Sequence, residues 1–461
     1  MPRITRRKLL QDMAFAAAAA TGLECLAGKQ PLSAGQNTSP DVSFPPQLPG
    51  GQVWAQIETD ELVRPSVPVR KGVEVARTPP RVEFAFFPGQ TYRGNPWSNW
   101  ADGTAASGKY YTAIGDHLAP AGNAWIYEVD ALAHTFRPLL ELRKLLDLPE
   151  GHYTPGKIHT RVELGRDGWL YAATHRGSTT ATREAYHYRG DWIVRCDPRT
   201  GAAEVVAHAP VAGHCIPCGR LDPQRLVFYG GTTPGSIRGE EGGWFFAYDC
   251  AQRRLLYAGP GGPARALIVA STTGRAYFVP GSGTGPLHRF DPAQARPPEP
   301  LAGPPIGVRA ATEETPQGVV YTVSSGQGAG AVAMLAAFDV RRESVQTLGP
   351  AAVASQQYIA ALAADPTGRY VYYVPGAHGG SDQDGSPVVQ FDVPSRTAKV
   401  LAFLHPVCQR QLGIVPRGCY GLACDPTGQR LYVTWNVSRG GRAWDVCGVS
   451  VLHIPPEERP G

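Results

Sequence analysis

"ALAADPTGRYVYYVPG", residues 361–376, and "GLACDPTGQRLYVTWN", residues 421–436, are two copies of one phrase. In each, a short apolar run meets Asp-Pro-Thr-Gly, a tight-turn composition, and an aromatic, β-branched strand follows. After the first copy the chain returns as "PVVQFDVPSRTAKVLAF", residues 387–403, two more strands about a second turn. The unit is therefore a four-stranded meander.

The same unit recurs upstream. "GRDGWLYAATH" (165–175) goes with "DWIVRCDPRTGAAEVVA" (191–207), "GRLDPQRLVFYGG" (219–231) with "GWFFAYDCAQRRLLYAG" (243–259), and "IVASTTGRAYFVPG" (268–281) with "LHRFDPAQARPPEPLA" (287–302). Weaker copies are "ATEETPQGVVYTVSS" (311–325) with "AMLAAFDVRRESVQTLG" (333–349), and "GKYYTAIGDH" (108–117) with "AWIYEVDALAHTFRPLLEL" (124–142). An aspartate marks the third strand at 130, 197, 249, 291, 339 and 392. Seven units of about 50 residues fill positions 108–455, a spacing close to that of propeller repeats. No such unit buries both its faces alone, so the units must stack radially. The expected fold is all-β, a seven-bladed β-propeller of four-stranded antiparallel blades over residues 81–461, with "RVEFAFFPG" (81–89) closing the ring. "RPLLELRKLLDL" (137–148) has helical apolar spacing and predicts a short surface helix after the first blade.

Composition agrees. Hydrophobic residues make up 43% and charged ones 18%, and Gly (54) with Pro (43) reaches about a fifth of the chain, against roughly an eighth in ordinary proteins. Residues 1–27 read as a twin-arginine-type export signal: Arg6-Arg7-Lys8 precedes an Ala-rich apolar run, Met13 to Leu23, too short for a permanent membrane span. Residues 28–80 read as a linker and extended arm. The expected location is periplasmic or extracellular, without a transmembrane anchor. Removing the signal lowers the formal charge from +5 to +3 and leaves no Lys/Arg stripe, which argues against nucleic acid. Eight of nine cysteines remain in a disulfide-permissive compartment. Cys215-Ile-Pro-Cys218 reads as a structural disulfide or two packed thiols, and Cys408 and Cys419 are placed to pin the approach to the last blade. "SDQDG" (381–385) lacks the downstream Glu of a calcium loop and reads as a solvated turn.

In a propeller, first strands begin on one face, and the loops joining second to third strands return to it. Side chains at both places converge on the axial funnel, where the fold puts ligands. First-strand starts carry His159, His214, Arg309, Tyr358 and Arg417; second-strand ends carry His117, His175 and His378. The long loop "HRGSTTATREAYHYRG" (175–190) adds Arg176 and Tyr188, and insertions on a ligand face tend to be functional. Such residues also serve as backbone caps or hold channel water, so it is the set, and no single member, that marks a site. The candidate catalytic residues are His159, His175, Tyr188 and His214; the candidate substrate-binding residues are His117, Arg176, Arg309, Tyr358 and Arg417.

No facing carboxylate pair, as a glycosidase needs, is found on this face. His, Tyr and Arg suit removal of the proton beside a uronate carboxylate, followed by loss of the sugar on the adjacent oxygen. Arg or protonated His neutralises the carboxylate, a neutral His or a Tyr takes the proton, and a second Tyr or His protonates the leaving oxygen. Export, seven blades, and a His pair framing the second-blade hairpin with Tyr and Arg following resemble the propeller-type polysaccharide lyases, such as ulvan lyases and, more distantly, oligogalacturonate lyases. The specific match lies at His159, His175, Tyr188 and Arg195 or Arg176. The resemblance implies β-elimination on a uronate polymer; the expected partner is an acidic polysaccharide or other small-molecule or glycan ligand, and the expected state is a monomer. No cofactor or metal set is assigned. Two other readings stand beside it: a non-catalytic propeller binding a glycan or protein, and a metal-dependent lactonase-like hydrolase with three histidines as ligands.

Overall fold

The repeated turns fold as their chemistry dictates. Asp365 accepts backbone N–H groups of Tyr370 at 2.8 Å and Thr367 at 3.2 Å, and Asp425 those of Gln429 at 2.8 Å and Arg430 at 3.1 Å. The last turn residue is left-handed, φ 74° at Gly368 and 71° at Gly428, which only glycine adopts without strain. The third-strand aspartates do the same at the next turn: Asp130, Asp197, Asp249, Asp291 and Asp339 each accept an N–H two or three residues on.

A computed structural model describes residues 42–235, 242–326 and 331–460. They form seven antiparallel sheets in a ring, a seven-bladed β-propeller, with strands ordered inner to outer along the chain. Blade 1 is Thr104–Ala106, Lys109–Gly115, Ala124–Asp130 and Thr135–Glu141. Blade 2 has a split inner strand, Lys157–Ile158 and Glu163–Leu164, then Leu170–His175, Trp192–Cys196 and Ala203–His208. Blade 3 runs from His214–Asp222 to Arg254–Pro260, blade 4 from Ile268–Ala270 to Glu299–Pro300, and blade 5 from Ala310–Ala311 to Ser344–Pro350. Blade 6 runs from Ala363–Ala364 to Thr397–Phe403, and blade 7 contains Val415–Cys424, Arg430–Ser438 and Val446–His453.

Arg81–Phe86 pairs antiparallel with Val446–His453 and so supplies the outer strand of blade 7, closing the ring with the start of the chain. Ala55–Ile57 adds a fifth strand beside it, and Glu74–Val75 pairs in parallel with Thr397–Phe403. Blades 6 and 7 are thus five-stranded rather than four.

Aromatic side chains fill the seams. Tyr110 stacks on Tyr432 at 5.1 Å between blades 1 and 7, Phe245 on Phe278 at 4.5 Å between blades 3 and 4, and Tyr277 meets Phe338 at 4.7 Å between blades 4 and 5. All six rings are buried. Deleting one such ring costs about 3–5 kcal/mol.

The structure corrects three local expectations. The helix predicted over 137–148 is confined to Leu142–Leu146, because Thr135–Glu141 pairs with Ala124–Asp130 as an outer strand and buries Leu139 and Leu140. All eight cysteines among the described residues are free thiols. Cys215 and Cys218 are packed thiols, the second of the two expected states, donating to the carbonyls of Thr233 and Pro263, while Cys408 and Cys419 share the apolar core between blades 6 and 7 without the expected bridge. "SDQDG" is not a loose turn: Ser381–Asp384 is a 3-10 helix with Ser381 and Asp384 buried. The export signal and the first part of the linker lie outside the described residues. Among those described, no helix is long and apolar enough to cross a membrane.

Candidate functional site

The funnel is built at the places the blade geometry dictates. His159 stands at the start of blade 2 beside Lys157, while Arg265, Arg309 and Tyr358 precede the inner strands of blades 4, 5 and 6. Tyr420 lies on the inner strand of blade 7 and Trp100 precedes that of blade 1. From the second-strand ends come His117, His175 and His378.

Trp100 is the hub. Its ring lies 4.5 Å from Tyr420, 5.7 Å from His159 in a near-parallel stack, 5.6 Å from His117 and 5.9 Å from His378. Lys157 Nζ sits 4.2 Å over it, a cation–π contact. Its indole N–H donates to Ser98 Oγ at 2.7 Å, and Ser98 Oγ lies 3.2 Å from His117 Nδ1, so the ring cannot turn freely. His159 and His175 face each other at 5.0 Å. His175 Nδ1 accepts the Gly177 N–H at 3.0 Å, which leaves its proton on Nε2 in the neutral ring.

The second half of the site is a chain of contacts. Arg309 Nε donates to Tyr358 Oη at 2.5 Å; Tyr358 stacks on His378 at 4.5 Å and 17°; Tyr420 Oη lies 2.8 Å from His378 Nδ1. The Arg309 guanidinium also lies 4.7 Å from the Tyr358 ring and 5.7 Å from that of Tyr420.

Electrostatics fix the protonation states. Desolvation, then the charge of Lys157, holds His117, His159 and His175 well below the usual imidazole range, with Arg265 adding to the effect at the last two. His378 is pushed down to about 4 by desolvation and by Arg309, Arg265 and Lys157. Its outer side is open to solvent, which tempers the first of these causes and leaves the three charges as the firmer one. Tyr420, 3% exposed, is raised well above a normal phenol by burial and by Tyr358. At neutral pH the funnel holds neutral imidazoles, a protonated phenol and three cations.

Below them, a cavity of about 60 Å³ runs down the axis between Trp100, His159, Arg265, Arg309 and Tyr420 above and Asp102, Arg161 and Arg220 beneath. The floor is sealed by ion pairs: Arg161 donates to Glu313 and Arg220 to Glu163, each at 2.7 Å. Asp102 is the one carboxylate lining this cavity, and it lies against Arg161 at 3.6 Å.

Of the residues singled out in sequence, the structure brings His159, His175, His117, His378, Arg309 and Tyr358 into this cluster. It does not bring the others. Tyr188 is 1% exposed, 3.4 Å from Asp191 and edge-on to Tyr153, because the long loop folds back through the 3-10 turn Glu184–Tyr186 and packs its aromatics inward. His214 is 1% exposed and bonds Thr232 at 2.8 Å within its own blade. Arg176 donates to the Pro234 carbonyl at 2.5 Å, and Arg195 lies between Asp167 and Glu204, stacked on Trp169. Arg417 is ion-paired with Asp382 at 2.7 Å. Trp100, Lys157, Arg265 and Tyr420 were not foreseen as site residues. The first and third precede the recognisable repeats. Tyr420 lies three residues beyond Arg417, past a bulge that resets the register of its strand.

Among the described residues, no three of His, Cys, Asp and Glu come together as a metal-binding set, so the ligands that a lactonase-like hydrolase needs are not assembled.

No family model and no curated protein matches the chain. A solved structure described as "Crystal Structure of Mitotic Checkpoint Complex" is similar at a TM-score of 0.49 and 12% identity, covering 86% of this chain and 98% of that one. A likeness of that degree carries no argument about activity.

Proposed function

We propose that this protein binds a uronate-containing saccharide in the axial funnel and cleaves it by β-elimination. The observation that carries the reading is the Arg309–Tyr358–His378–Tyr420 chain, held beside Lys157 and Arg265 at one mouth.

The chemistry follows from these states. Arg309 and Arg265 neutralise the substrate carboxylate, which acidifies the proton on the adjacent carbon. Neutral His378 takes that proton, the pair of the broken C–H bond becomes the new carbon–carbon double bond, and the C–O bond to the leaving sugar breaks with its pair left on the oxygen. Tyr420, kept protonated, gives its proton to the leaving oxygen and recovers one from His378 through their shared hydrogen bond. Trp100 offers a flat face for a sugar ring, with Lys157 above it. His159 and His175, neutral and paired beside Trp100, bind hydroxyl groups of the saccharide. Read with the paired arginines and apolar run near the amino terminus, the protein works outside the cytoplasm.

The test is incubation of the folded protein with ulvan, pectate and glucuronan while following the near-ultraviolet absorbance of an unsaturated product. Absorbance that grows on at least one polymer supports the reading. Binding without any product makes the funnel a recognition site only, and neither binding nor product removes the proposal.

A further inference from the structure

The loop bearing His378 is tied at two points, one to the segment leading to Tyr358 and one to the strand that carries Tyr420. Asp384 accepts the Ser355 N–H at 3.0 Å, the Ser355 hydroxyl at 2.5 Å and the Gln356 N–H at 2.7 Å, just ahead of Tyr358. Asp382 takes Arg417 Nη1 at 2.7 Å, three residues before Tyr420. Between them the chain makes one 3-10 turn, and Gly379 is pressed so close to Trp444 that a Cβ there would lie 2.7 Å from the indole. Trp444 in turn stands edge-on to Trp100 at 6.2 Å.

From this we infer that Asp382 and Asp384 are positioning residues, which clamp the 376–386 loop so that the His378 ring stays between Tyr358 and Tyr420. The inference rests on the proposed lyase reading for its meaning, but its geometry does not. A charge-assisted bond is about twice as strong as a neutral one, and Asp384 gathers three donors on one carboxylate. Both aspartates act through His378. Neither belongs to the axial cavity's lining. The groups facing His378 are Tyr358, Tyr420 and Trp100, with the charges of Arg309, Arg265 and Lys157. A ring released from the clamp swings toward solvent and away from those charges.

The experiment compares the full-length protein with Asp384→Ala and the milder Asp382→Asn, each checked for an unchanged fold by circular dichroism. The His378 imidazole is titrated by NMR, its signal assigned through His378→Gln. The expected result is a parent titration far below the ordinary imidazole value of about 6.5 that moves up toward it in each variant. On a uronate polymer kcat falls roughly ten- to a hundredfold, since a misplacement of about 1 Å costs that much, while KM changes little because the cations remain. Asp382→Glu, which retains the ion pair, restores both readouts. If Asp384→Ala does not fold, Asp382→Asn decides alone. An unmoved His378 titration in a folded variant overturns the inference. A parent protein without turnover defeats the lyase reading, yet the titration still judges the clamp.

Discussion

Tyr420→Phe isolates one atom of the proposed mechanism. The ring contacts with Trp100 at 4.5 Å and with His378 remain, and only the hydroxyl 2.8 Å from His378 Nδ1 is lost. A single hydrogen bond is worth about 1 kcal/mol net, and His378 is open to water that replaces it. With unfolding entropy near 2 cal/mol/K per residue, the roughly 410 described residues together lose only about 1 °C of Tm for that. Catalysis is affected far more, because a positioned general acid contributes roughly 10²–10⁴-fold. The expected result, in initial rates of unsaturated-product formation, is a kcat lower by about a hundredfold or more, with KM within about threefold because Arg265 and Arg309 still hold the carboxylate. A kcat within about threefold of the parent, with the same Tm, would refute the assignment of Tyr420 as the acid.

Because His378 must be unprotonated to act as base and is held down to about 4, kcat/KM should stay level through mildly acidic pH and fall only as pH drops toward that value; a loss centred near 6.5 contradicts it. Arg265→Ala should raise KM roughly ten- to a hundredfold by removing one charge-assisted contact, and the remaining affinity should depend less on salt; an unchanged KM in a salt series removes Arg265 from the site. Glu83, on the ring-closing strand, is opposed by burial, yet its bonds to His453 and His134 hold its carboxyl below the usual 4.5. A depressed carboxylate contributes stability above its unfolded value and loses it as pH falls, so the Tm advantage of the parent over Glu83→Gln should be present at neutral pH and vanish below about pH 4. An advantage that grows in acid would reverse that sign.

The architecture was legible because it repeats. Asp-Pro-Thr-Gly at 365 and 425 and the third-strand aspartates carry their own turn chemistry, so blade number and phase follow from local rules. More than half the site was legible for the same reason: His117, His159, His175, His378, Arg309 and Tyr358 occupy repeat positions whose direction the blade fixes. Tyr188 misled because a long loop reads as exposed until its packing is known, and this one turns inward on Tyr153. Arg417 misled through register, since bulges around Pro416 and Cys419 shift which residue of that strand faces the axis. Trp100 was hidden by lying in "NPWSNW", ahead of the first repeat, where no period places it. The aspartates of "SDQDG" gave a composition without a partner: the donors to Asp384, Ser355 and Gln356, lie nearly 30 positions upstream, and the donor to Asp382, Arg417, lies 35 positions downstream.

The most direct test of the central claim is a crystal structure of Tyr420→Phe soaked with a short uronate oligosaccharide. The expected density shows a sugar ring on Trp100, with its carboxylate between Arg309 and Arg265 and its acidic carbon turned to His378. Saccharide bound away from the funnel, or in the funnel with its carboxylate pointing away from both arginines, would contradict it.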